Sequence, residues 1–167
     1  MLVLLFACTS KQDKMAAALS NVDAFLTPNL QLDKIPDSLS RKMHDFAMAY
    51  PQNPKSEEYL YRATQMAEMK GKFFETAKWC EDYTVTYPKG KYLLGAITAA
   101  AANYEKTGTY EKALFFYKRL YTEYPKSNLA NDAKRTVEMI NKGLVTPEQQ
   151  LEYILNKNAK DSGIKNQ

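Results

Sequence analysis

The chain predicts an all-α fold, a short superhelix of antiparallel helix hairpins with about seven helices, and three observations predict it. Tyr50-Pro51, Tyr87-Pro88 and Tyr124-Pro125 recur at an interval of 37 residues, from 50 to 87 and from 87 to 124. Gly71 and Gly108, Ala63 and Ala100, Phe73 and Tyr110, and Lys89 and Lys126 keep the same interval. Between these landmarks apolar residues return at steps of three and four, the period of one helix face. A recurrence of roughly 20 to 50 residues marks a solenoid, in which one unit cannot bury its apolar face alone and stacks on its neighbour.

The elements follow in order. Residues 1–8, Met-Leu-Val-Leu-Leu-Phe-Ala-Cys, are apolar and stop at Thr9-Ser10-Lys11. Crossing a bilayer takes about 20 such residues, so the run reads as the end of a secretion signal with a small residue at the cut. A buried N-terminal segment is the other reading, since no Lys or Arg precedes the run. Residues 9–36 are expected to form a tether, with a loose helix from Met15 to Leu26 and a linker at Thr27-Pro28-Asn29.

The repeat body is assigned to residues 37–157. Its first unit is incomplete and contributes only a second helix, Asp37 to Tyr50. Ser56 to Lys70 then pairs with Phe73 to Tyr87, and Lys91 to Lys106 with a helix that carries Tyr110, Ala113, Leu114, Tyr117, Leu120 and Tyr121 on one face. Lys112, Lys118, Arg119 and Glu123 fall mostly on the other face. Gly108 supplies the left-handed residue that ends one helix, and Pro125 ends the next by pushing Tyr124 out of the helical region. The run Ala99 to Ala102 has no bulk, so neighbouring helices can approach closely. Ser127 or Asn128 caps a helix through Ala130, Ala133, Val137 and Ile140 that stops at Gly143. Thr146-Pro147-Glu148-Gln149 combines a capping box with proline at the first helical position and leads into Leu151, Ile154 and Leu155. Residues 158–167 are polar and expected to fray.

Composition excludes several function classes. Lys and Arg number 23 against 19 Asp and Glu, a formal charge of +4 with no block of like sign. A nucleic-acid binder concentrates its basic residues, whereas here lysines alternate with glutamates from Lys55 to Lys91, as on a solvated helix face. The single histidine, His44, rules out a zinc site with two histidines on one helix turn. It is expected to be a surface or partly buried helical residue, and Cys80 a small core residue at helical spacing with Phe73, Ala77 and Tyr83. No Cys-x-x-Cys pair and no glycine-rich phosphate loop occurs. Glu57-Glu58 and Glu81-Asp82 are adjacent on a helix and point about 100° apart, so they do not share a proton. The expectation is a non-catalytic protein that needs no cofactor and no metal.

The third unit, with Ala101, Tyr104, Gly108, Tyr110, Ala113, Tyr117, Leu120 and Pro125, resembles the tetratricopeptide repeat in order and spacing. The second departs from it at Thr64 and Thr76, where Ala or Gly is usual, and the period exceeds the usual 34. Tyr124-Pro125-Lys126-Ser127 followed by Ala130-x-x-Ala133 is similar to the variant in periplasmic lipoproteins of the BamD and YbgF/CpoB type. Leu5-Phe6-Ala7-Cys8 resembles the lipobox of bacterial lipoproteins. The resemblance covers about residues 37–142 and implies a lipid-anchored outer-membrane protein facing the periplasm, with Cys8 as the lipidated residue and other envelope proteins or peptide segments as partners. It implies either an adaptor or scaffold in envelope assembly, or an accessory that presents peptidoglycan or a polypeptide to an envelope enzyme.

In a solenoid of helix pairs the first helix of each pair lines the inner face. The 37-residue register then nominates Glu58, Tyr61, Gln65 and Glu68 from one unit, Thr98, Ala102 and Glu105 from the next, and Arg135 and Met139 from the third. These are expected to form a groove with a low floor at Thr98 and Ala102, suited to an extended or helical peptide with some basic character.

Overall fold

Each recurring motif builds the same local geometry. In a computed structural model that describes residues 11–23 and 36–161, Tyr50, Tyr87 and Tyr124 end their helices with φ of −133°, −126° and −127° and ψ of 59°, 66° and 54°. Each donates its backbone N–H four residues back, to Phe46, Tyr83 and Leu120 respectively. Gly71 and Gly108 both sit at φ +70° with open space where a side chain would be. The backbone N–H of each bonds three residues back, to Glu68 and Glu105, and the following N–H bonds to Ala67 and Tyr104. Gly143, at φ +73°, repeats the pattern on Ile140 and Met139. A residue with a Cβ would be strained at all three positions.

Eight helices are described: α1 Lys11–Asp23, α2 Asp37–Ala49, α3 Ser56–Met69, α4 Phe73–Thr86, α5 Leu93–Lys106, α6 Tyr110–Glu123, α7 Leu129–Asn141 and α8 Pro147–Asp161. No strand is present among the described residues. The fold is therefore an all-α array of helix hairpins, with one helix more than the expected seven. The extra helix is α1, which starts four residues before Met15. It completes the first hairpin, because Val22, 1% exposed, packs with Leu39, Met43 and Phe46 of α2 and with Tyr59 and Ala63 of α3. Asp23 accepts hydrogen bonds from Tyr59 and, at 2.8 Å, from Lys55. Those two bonds, the lysine first, hold its carboxyl below the usual range. Cys8 and the expected linker at Thr27-Pro28-Asn29 lie outside the described residues. At the other end α8 stays helical past Asn158, to Asp161.

Each helix from α1 to α6 packs against the next, and polar bridges sort them into two layers. Arg41 of α2 reaches Glu75 of α4 at 2.9 Å, and Lys112 of α6 reaches Glu81 of α4 at 2.7 Å. In the other layer Asn103 of α5 donates to Glu68 of α3 at 3.0 Å. One apolar cluster runs from α2 to α7 around Tyr83, Ile97, Tyr104 and Phe116; a second, between α1 and α4, holds Met43, Phe46 and Trp79. Thr64 and Thr76, the departures from the repeat pattern, are buried and donate their hydroxyls to the carbonyl of Tyr61 in the same helix and to that of Lys72 just before α4. A threonine so bonded leaves no unmet polar group and fits a site meant for a small residue.

The caps behave as their chemistry requires. Gln149 accepts from the backbone of Val145 and Thr146 while its own N–H donates to the Thr146 hydroxyl at 3.3 Å, a reciprocal box. At α7 the serine serves: Ser127 Oγ accepts from the Leu129 N–H at 3.2 Å. Leu151 and Leu155 of α8 are 58% and 59% exposed.

Candidate functional site

The row of first helices, α3, α5 and α7, carries the sequence-nominated residues, and the structure sorts them into open, sealed and buried groups. Glu58 and Gln65 are exposed on α3, with Glu58 ion-paired to Arg62 at 2.7 Å. Arg62 and Met69 share this exposed stripe at steps of three and four. Tyr61 is half-buried and stacks flat on Tyr92, with centroids 4.4 Å apart and planes 2° apart.

Thr98 and Ala102 of α5 are half-exposed, and so are Gly95 and Ala99. This middle helix therefore offers a low strip beside the long side chains of α3. Gly95 belongs to it for a steric reason, since a Cβ there would stand 2.6 Å from the Tyr61 hydroxyl. Gly95, Tyr92 and Arg62 were not nominated from sequence. The signal for Gly95 was available, because it stands 37 residues after Glu58.

Glu68 and Glu105 are half-buried. Glu68 accepts from Asn103 and lies 3.5 Å from Lys106 Nζ. Glu105 accepts from Tyr117 at 2.6 Å and from Gln150 of α8 at 3.4 Å. Both carboxylates therefore sit in seams between elements, where burial and the Glu105 bond raise the Tyr117 phenol well above its ordinary range.

Arg135 is exposed and bonds Asp132 at 3.2 Å. Met139 is a correction: it is only 5% exposed and lines no open face. The 37-residue step slips in the last hairpin, where Gly143 follows Gly108 by 35. Counted from the glycine, Met139 matches Tyr104 and Ala67, both fully buried.

His44 is held by two carboxylates, Nδ1 3.1 Å from Asp45 and Nε2 3.2 Å from Asp82, and stacks on Trp79 at 4.6 Å. Burial pulls its pKa down, but hydrogen bonds donated to Asp82 and then to Asp45 outweigh this and leave it raised above 6.5. The imidazolium thus stabilises the fold fully below the unfolded value, and this contribution is lost as pH rises through the folded value. The stability advantage of the natural chain over His44→Gln is expected to be full at acid pH and to shrink as pH rises above about 6.5 in urea melts; a constant difference contradicts this. Cys80 is fully buried, and burial pushes its thiol up to about 12, so it is not a nucleophile at neutral pH.

Two clefts of about 450 and 290 Å³ open along α1 and the end of α2, beside Met15, Tyr50, Ala18 and Phe46, and no residue of α3, α5 or α7 lines either. Among the described residues no three His, Cys, Asp or Glu side chains converge as metal ligands. No described helix is long and apolar enough to cross a membrane. No family model matches the chain, and neither a characterised protein nor a solved structure matches it.

Proposed function

We propose that the first-helix row binds a peptide or helix of another protein without catalysing a reaction, in a lipid-anchored adaptor of the bacterial envelope that faces the periplasm. The observation that carries the binding reading is the strip Gly95, Thr98, Ala99 and Ala102. It stays low and half-exposed along the middle helix while Glu58, Arg62, Gln65 and Met69 rise beside it. A ligand main chain can approach such a floor closely, and the flanking side chains supply polar contacts at its edge. Leu5-Phe6-Ala7-Cys8 supports the anchor, with Cys8 as the lipid-bearing residue.

Photocrosslinking in the native envelope tests the surface. A photoreactive residue at Gln65 or Ala102 is expected to capture a defined partner, whereas one at Val85, 76% exposed on the second layer, captures none. Equal capture at all three sites, or none at Gln65 and Ala102, overturns the reading. Saturable sedimentation with purified cell-wall sacculi would instead support presentation of peptidoglycan.

A further inference from the structure

Glu68 and Glu105 occupy the same place in successive hairpins, three residues before Gly71 and Gly108, yet unlike devices close their seams. Glu68 is sealed by Asn103 and Lys106, both on α5, a helix packed between α4 and α6. The residue matching Asn103, five before Gly143, is Glu138, a carboxylate with nothing to donate. The amide on Glu105 comes instead from Gln150 of α8.

That helix is held mainly by polar contacts. Its Gln150, Tyr153 and Lys157 stand 37 residues after Ala113, Phe116 and Leu120, all three buried in the core. Polar side chains replace those apolar ones. Tyr153 donates to Glu138 at 2.5 Å and accepts from Lys142 at 2.6 Å, while Lys157 lies 3.6 Å from Glu138. Leu151 and Leu155 face solvent and belong to neither apolar cluster. The connection from Gly143 to Pro147 is also two residues longer than those from Gly71 to Phe73 and from Gly108 to Tyr110. Exposed hydrogen bonds and ion pairs hold an element far less firmly than apolar burial does.

We propose that α8 is a releasable strap that closes the end of the first-helix row by presenting Gln150 to Glu105. A ligand displaces it by bringing an N–H donor of its own, an amide, ammonium or guanidinium, to that carboxylate. The inference rests on the binding reading of this row.

Two readouts on the full chain test it without any ligand. In amide hydrogen exchange, residues 149–158 are expected to open at least about tenfold more often than those of α5. In carboxyl labelling with carbodiimide and glycine ethyl ester, Glu105 is expected to react several-fold faster than Glu68. Gln150→Ala should raise the Glu105 rate further and leave Glu68 unchanged. Exchange of α8 as slow as that of α5, or a Glu105 rate indifferent to Gln150→Ala, overturns the strap. Either result leaves the groove itself standing, whereas silence in crosslinking at Ala102 beside a mobile α8 sinks the groove.

Discussion

Replacing Gly90 with alanine is expected to lower stability by about 3 kcal/mol, and this loss should not add in full to the loss from removing the Tyr83 hydroxyl. The built Cβ would stand 2.8 Å from a Glu57 carboxylate oxygen and 2.9 Å from Tyr87 Cβ, and nearest of all to the Tyr83 hydroxyl. Tyr83 is fully buried and cannot swing away. Its hydroxyl donates to Glu57 at 2.6 Å and accepts from the Tyr92 N–H at 2.9 Å, while Glu57 also takes the Lys91 N–H at 2.6 Å. Glu57 and burial together hold the phenol neutral far above its ordinary range, with burial the larger cause. Overpacking of this kind costs about 1–3 kcal/mol, and a buried bond to a charged group contributes about 1.5–3 kcal/mol.

The repeat explains why only this hairpin needs a glycine there. Tyr83 corresponds to Phe46 and Leu120, which carry no hydroxyl, and Gly90 corresponds to Asn53 and Ser127, which carry side chains. In a double-mutant cycle Tyr83→Phe alone costs about 1–3 kcal/mol by orphaning the Tyr92 N–H and removing one of the two bonds to Glu57. The pair with Gly90→Ala should then be more stable than the two losses added, by at least about 1 kcal/mol in urea melts. Simple additivity sinks the account.

The parts of the molecule legible in sequence were those where one residue type has one local use. Glycine at a helix end, proline after a tyrosine, and the threonine-glutamine box each act within a few residues, and the structure builds each where its residues stand. Counting at a fixed interval failed where chain length between landmarks changed. It carried Met139 onto the groove because α7 is one residue shorter than α5, 13 residues against 14, and the glycine interval contracts to 35. The polar, weakly patterned α1 hid its role because a single buried valine, Val22, anchors it. Glu105 looked like a free groove residue because its partner Gln150 lies 45 residues away, and no periodicity links them.

The two adjacent alanines Ala101 and Ala102 should respond in opposite ways to the same added bulk, which separates core from candidate groove within one helix turn. Ala101 is fully buried among residues such as Ile97, Tyr104 and Phe116. Interiors are packed as densely as organic crystals, so Ala101→Leu has no void to fill and must displace a neighbour, at a cost of about 3 kcal/mol. Ala102 is half-exposed, and Leu is nearly as good a helix former as Ala, so Ala102→Leu should stay within about 0.5 kcal/mol of the natural chain. The same three extra carbons would stand above the floor of the strip, and photocapture from Gln65 should fall several-fold. If urea melts give the two variants equal losses, Ala102 belongs to the core. If Ala102→Leu leaves both stability and capture untouched, the low floor is not where a partner lies.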